Sequence, residues 1–163
     1  MANEIDDIIT DVIKREGGST ETNDPLDAGG RTAYGISEKS NPEAWADGKV
    51  TSDEARAIYL AKYVKSPGFD AIPDARLMHQ MVDFGVLSGP SVAVRKLQHT
   101  LRVAEDGILG PTTLKALSEA NPRAINNALC IERCKMLAQI VQKTPSQARF
   151  LVDWLDRALS FLL

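Results

Sequence analysis

Glu16 closes a stretch in which Ile5, Ile8, Ile9, Val12 and Ile13 recur at helical spacing, and it shares a stripe with Ile5, Ile9 and Val12. A helix here aims a carboxyl group, from its last turn, at its own apolar side. Partial loss of water disfavours the charged form of such a group, and the negative end of the helix dipole does the same. A carboxylic acid that keeps its proton near neutral pH can protonate the leaving oxygen of a glycosidic bond. Gly17-Gly18 follow it; glycine takes the left-handed cap that ends a helix, and the pair leaves room for a sugar. The plainer reading of the same pattern is a solvated glutamate at a helix end.

Partners for that acid follow within twenty residues. Asp24 and Asp27 are both candidates for a second carboxylate that holds or activates water. Thr32 could hydrogen-bond that water, and Tyr34 could line a sugar site. Each has an ordinary alternative: Asp24 as a turn residue before Pro25, Asp27 as a turn before Gly29-Gly30, Thr32 and Tyr34 as strand residues. A separation of roughly 6.5–9.5 Å between the two carboxyls would imply inversion at the sugar, and about 5 Å retention. No cofactor is required. Cys130 and Cys134 lie four apart on one helical face and read as small apolar residues, with no histidine nearby to complete a zinc site.

The elements that must position these residues can be read from breakers and periodicity. Residues 4–16 form the first helix, 19–30 a turn-rich loop, and Arg31–Ser37 a short hairpin or irregular strand. Thr51-Ser52-Asp53-Glu54 offers a capping box for a helix over 55–64. The loop SPGFDAIPD marks the lobe boundary. Helices are expected at 74–87, 91–102, 112–119, 122–142 and 145–161, separated by Gly89-Pro90, Asp106-Gly107, Gly110-Pro111, Asn121-Pro122 and Thr144-Pro145. The expected fold is α+β but mostly α: a small N-terminal lobe with a hairpin (1–65) and an all-helical C-terminal lobe (66–163).

Composition excludes more than it assigns. With 19 basic and 22 acidic residues the net charge is −3, which argues against nucleic acid as the main partner. The N-terminal segment has no basic region followed by an apolar run, and no stretch is apolar for long enough to span a membrane. The chain reads as made in the cytoplasm, without a signal peptide.

Taken together, Glu16-Gly17-Gly18, Asn23-Asp24-Pro25 and Asp27-Ala28-Gly29-Gly30-Arg31-Thr32-Ala33-Tyr34-Gly35-Ile36 resemble the opening signature of glycoside hydrolase family 108. That family comprises N-acetylmuramidases, including phage endolysins and proteins labelled secretion activators. Asp83–Pro90, Leu97-Gln98, Asp106–Leu114 and Pro145–Leu151 resemble the helical peptidoglycan-binding segment that accompanies its catalytic region. The resemblance covers nearly the whole chain. It departs at Ser19, where an aromatic is frequent, in the polar residues Thr20–Thr22, and at Leu87, where an asparagine is frequent.

The resemblance implies a lysozyme-like fold and hydrolysis of the MurNAc–GlcNAc β-1,4 bond in peptidoglycan. Glu16 would be the general acid. Asp27, or Asp24, would hold water with Thr32, and Asp24, Tyr34 and Asp83 would contact substrate. The helical lobe would be either the second wall of a cleft or an independent wall-binding module. A monomeric phage endolysin, made in the bacterial host and released to the periplasm and wall by a holin, fits this picture. The alternatives are a lytic transglycosylase and a non-catalytic wall-binding or secretion-accessory protein.

Overall fold

The apolar stripe of the N-terminal segment forms helix α1, Ala2–Arg15, which buries Ile8, Ile9, Val12 and Ile13. The structure, a computed structural model, describes residues 2–23 and 30–163; Asp24 and Asp27 lie outside them. Strands β1 (Thr32–Ala33) and β2 (Ile36–Ser37) make an antiparallel hairpin with Thr32 opposite Ser37 and Ala33 opposite Ile36. Its two-residue loop, Tyr34-Gly35, has φ of 54° and 73°. Positive φ at both loop residues is the pattern of a type I′ turn, whose twist matches that of the flanking strands. Tyr34 is thus one of few non-glycine residues in the left-handed region.

Helix α2, Ser52–Tyr59, starts at the expected capping box: the Thr51 hydroxyl accepts from Glu54 N–H, and the Glu54 carboxylate accepts from Thr51 N–H. It continues into a π-helical turn over Leu60–Lys65. Helices α1 and α2 pack together, and Arg56 reaches across to the Asp6 side chain and to the Thr10 hydroxyl. These elements make one compact unit, Met1–Ser66; a second covers Pro67–Leu163.

The second unit is helical throughout. It comprises α3 (Ala75–Ser88), α4 (Pro90–Leu101), α5 (Pro111–Glu119), α6 (Pro122–Lys143) and α7 (Leu151–Leu159). Helix α3 is its central element, with Leu77, Met78, Gln80, Met81, Val82, Asp83, Phe84 and Gly85 all buried. It packs on α4 and α6, and α6 packs on α7. A single helix expected over 145–161 is instead a 3-10 segment, Pro145–Phe150, followed by α7. Pro145 supplies no backbone donor at the start, and the tighter turn carries the chain into α7.

The sequence fragments Asp106-Gly107 and Gly110-Pro111 organise the α4–α5 loop. The fully buried Gln98 amide donates to Asp106 Oδ1 (2.7 Å), Ile108 O (3.0 Å) and Thr113 Oγ1 (3.0 Å) and accepts from Gly107 N–H (2.9 Å). The family-like residues here act as punctuation between helices. Cys130 and Cys134 are free thiols whose pKa values burial raises. No cluster of potential metal ligands occurs among the described residues. No described helix is long and apolar enough to cross a membrane.

Candidate active site

Glu16 caps α1. Its N–H bonds Val12 O (3.0 Å), Gly17 N–H bonds Lys14 O (3.3 Å), and Gly18 N–H bonds Ile13 O (3.0 Å). This pair of backward bonds is a Schellman motif, with Gly17 (φ 97°) in the left-handed position that a glycine reaches without steric cost. The cap therefore fixes where the Glu16 side chain leaves the helix.

The hairpin turn meets that side chain directly. Tyr34 N–H donates to Gly18 O (2.9 Å), which ties the turn to the end of α1. A Cβ on Gly35 would lie 2.8 Å from Glu16 Cβ and 2.5 Å from the Tyr59 hydroxyl. Glycine is required there for space as well as for its φ. The Tyr59 hydroxyl donates to Tyr34 O (3.0 Å) and holds the turn from the α2 side. Glu16 itself is partly exposed, and its Oε1 is buried. Tyr63 stands nearby: burial first, and the Glu16 charge second, push its phenol above the ordinary tyrosine range. The Tyr59 and Tyr63 rings lie 5.6 Å apart.

Below the turn the hairpin is pinned at its base. Arg31 donates to both Glu38 carboxylate oxygens (3.1 and 2.9 Å) and to Gly48 O (2.9 Å), and its guanidinium lies 4.7 Å from the Trp45 ring centroid. The bidentate pair holds Glu38 below the usual carboxylate range. Trp45 Nε1 donates to Ile36 O (3.2 Å). Thr32 exchanges two 2.9 Å backbone bonds with Thr22, which ties the chain just after α1 to the first strand of the hairpin.

The structure thus brings Glu16, Tyr34 and the Thr32 hairpin into one unit. Asp24 and Asp27, the two candidates for the second carboxylate, lie outside the described residues. Asp83 is fully buried in the helical unit, where its oxygens accept from Arg133 Nη2 (2.6 Å) and Arg157 Nε (2.8 Å). Its carboxylate therefore faces two guanidiniums rather than solvent. Tyr59 and Tyr63 escaped the sequence reading, and Gly35 entered it only as part of the family-like signature, with no role of its own. The spacing of the tyrosines, four apart on an amphipathic stretch, was the available signal.

A mostly helical α+β fold, with a small hairpin beside the end of its first helix, defines the lysozyme-like class of glycoside hydrolases. Residues 9–89 match the family described as Glycosyl hydrolase 108, and residues 92–159 match a predicted peptidoglycan domain. Among solved structures, Brucella abortus SagA superposes with a TM-score of 0.73 at 30% identity, over 99% of this chain and 97% of that one. The chain belongs to glycosyl hydrolase family 108. No curated protein matches it. With its two matched regions, it is a peptidoglycan hydrolase.

Proposed function

We propose that the protein is an N-acetylmuramidase that hydrolyses the MurNAc–GlcNAc β-1,4 bond, with Glu16 as the general acid. The supporting observation is the seating of Glu16. A Schellman cap fixes its backbone, the Gly35 turn packs against its Cβ, and one of its oxygens is buried. A general acid needs that combination of a fixed position and partial loss of water. Glu16 would protonate the leaving glycosidic oxygen. Asp27, or Asp24, would hold the attacking water together with Thr32, and Asp24 and Tyr34 would contact the sugar. We also propose a monomeric phage endolysin, made in the host cytoplasm, delivered to the wall by a holin, and folded as two lobes over 1–65 and 66–163.

Mass spectrometry of digested sacculi tests the bond and the chemistry together. New reducing ends on MurNAc are expected. Reducing ends on GlcNAc would overturn the bond assignment, and 1,6-anhydro ends would replace hydrolysis by transglycosylation. Persistent lysis of permeabilised cells by a folded Glu16→Gln variant would remove Glu16 from the mechanism.

A further inference from the structure

The tip of the hairpin is held in a conformation that its own sequence disfavours. Tyr34 (φ 54°) is a bulky residue in the left-handed region. The other non-glycine residue there among the described residues, Arg102, ends helix α4. A two-residue turn of this kind prefers Asn or Asp before its glycine, because a short polar side chain tolerates the left-handed region. Strain of this sort persists where surrounding contacts impose it, and it gathers at functional sites.

Contacts from both flanking helices impose it here. The Tyr34 N–H is bound to Gly18 O (2.9 Å), just past the end of α1. The Tyr34 carbonyl lies outside the ladder of Thr32–Ser37 and Ala33–Ile36 pairs, and it accepts from the Tyr59 hydroxyl (3.0 Å) at the end of α2. Gly35 is wedged between the two helices: a Cβ there would stand 2.5 Å from the Tyr59 hydroxyl and 2.8 Å from Glu16 Cβ. The turn is therefore a spacer, with Tyr59 on one side and Glu16 on the other. Tyr59 is firmly seated, being 2% exposed with its ring 5.6 Å from that of Tyr63. A phenylalanine would fill the same volume. What a tyrosine adds is the hydroxyl, and a buried phenol takes a hydrogen-bond acceptor, here the strained turn.

We propose that Tyr59 is a positioning residue for glycan cleavage: its hydroxyl holds Tyr34-Gly35 in the left-handed turn, and the turn fixes where the Glu16 side chain stands. This rests on the reading of Glu16 as the general acid. Tyr59 itself touches no reacting atom. Its effect arises because a proton donor displaced by a fraction of an ångström from its leaving oxygen loses rate while the sugar still binds.

The test compares Tyr59→Phe with the parent protein in two backgrounds, wild type and Tyr34→Asn. Cleavage of soluble, uncrosslinked glycan strands is followed by chain length, and exchange of the residue-34 amide by NMR. In the wild-type background Tyr59→Phe should lower kcat about tenfold with KM within about twofold. Exchange of the residue-34 amide should quicken about tenfold, because the turn opens more often. Asn-Gly adopts this turn unaided, so in the Tyr34→Asn background the same change should cost less than about threefold in kcat. Any loss of a sugar contact at residue 34 cancels in that ratio.

Unchanged kcat in Tyr59→Phe overturns the proposal, even where exchange quickens, since the hydroxyl would then only stabilise the hairpin. So does a loss confined to KM, unchanged exchange, or an equal loss of kcat in both backgrounds. Retained cleavage by Glu16→Gln would remove the acid reading instead. The exchange rates and the coupling between residues 34 and 59 are measured independently of which residue is the acid.

Discussion

Glu16 and Asp83 are both carboxylates on well-packed helices, yet their surroundings suit them to opposite tasks. Glu16 stands at the end of α1, partly exposed, with its alkyl part against the Gly35 backbone and its charge felt by Tyr63. Asp83 lies well inside α3, closed to water, with one oxygen for each of two arginines. Access is what proton transfer requires, and a helix end provides it. Two fixed ion pairs provide the reverse: a carboxylate committed to its partners, able to orient them but not to exchange a proton with a substrate. The N-terminal unit holds its acid by backbone shape. The helical unit holds its acid by charge.

Substitutions should separate the two sharply. Glu16→Gln is expected to lower the rate of wall lysis by about 10²–10⁴-fold, the usual share of a general acid. Its thermal midpoint by circular dichroism should barely move. Asp83→Asn should do the opposite, because removing one partner strands buried arginines, at about 3–5 kcal/mol. A large loss of stability in Glu16→Gln, or none in Asp83→Asn, would break the comparison.

Two glycines sharpen it further. Gly35→Ala places a methyl against Glu16 and Tyr59 at a positive φ, and should cost about 1–3 kcal/mol in denaturant midpoint. Because the clash displaces the acid, lysis should also fall about 10²-fold. Gly17 has open space where its Cβ would go, so Gly17→Ala carries only the conformational cost of about 1–2 kcal/mol and should leave lysis largely intact.

Titrations read the smallest effects. Glu16 charge disfavours the Tyr63 phenolate, so Glu16→Gln should move the Tyr63 titration downward in ultraviolet difference spectra, while burial keeps it above the ordinary value. In the helical unit, bonds from Gln98 and Ile108 N–H hold Asp106 below its ordinary value of 3.8. A depressed carboxylate stabilises the fold fully above its unfolded pKa, and that contribution disappears as pH falls through the folded one. Wild type and Asp106→Asn should therefore differ in thermal midpoint near neutrality and converge in strong acid.

What could be read from the sequence followed from local rules. The stripe Ile5–Val12 and the glycines after Glu16 predict α1 and its cap, and both are present. Thr51 with Glu54 predicts the start of α2, and Asn121-Pro122 that of α6, where the Asn121 side chain accepts from Ala124 N–H. What could not be read depends on distant residues meeting. Asp83 and Arg133 are fifty positions apart, and Asp83 and Arg157 seventy-four, so no periodicity announces their cluster. Tyr63 joins Glu16 only because α2 packs on α1. The 3-10 start at Pro145 reads as ordinary helix because Pro suits the first turn of either form.

The π-helical turn at Leu60–Lys65 has an implication for how the site tolerates changes in chain length. A π turn carries one residue more than the α-helix it interrupts. Deleting one residue from that turn would let α2 run on as regular helix, at little cost in hydrogen bonds. Every side chain beyond the deletion would then rotate by about 100° around the axis. Tyr63 would swing away from Glu16 while Tyr59, ahead of the turn, kept its hold on the hairpin. The wide turn thus works as a phase setting: it decides which face of the same helix looks toward the acid, without altering a single residue that touches it.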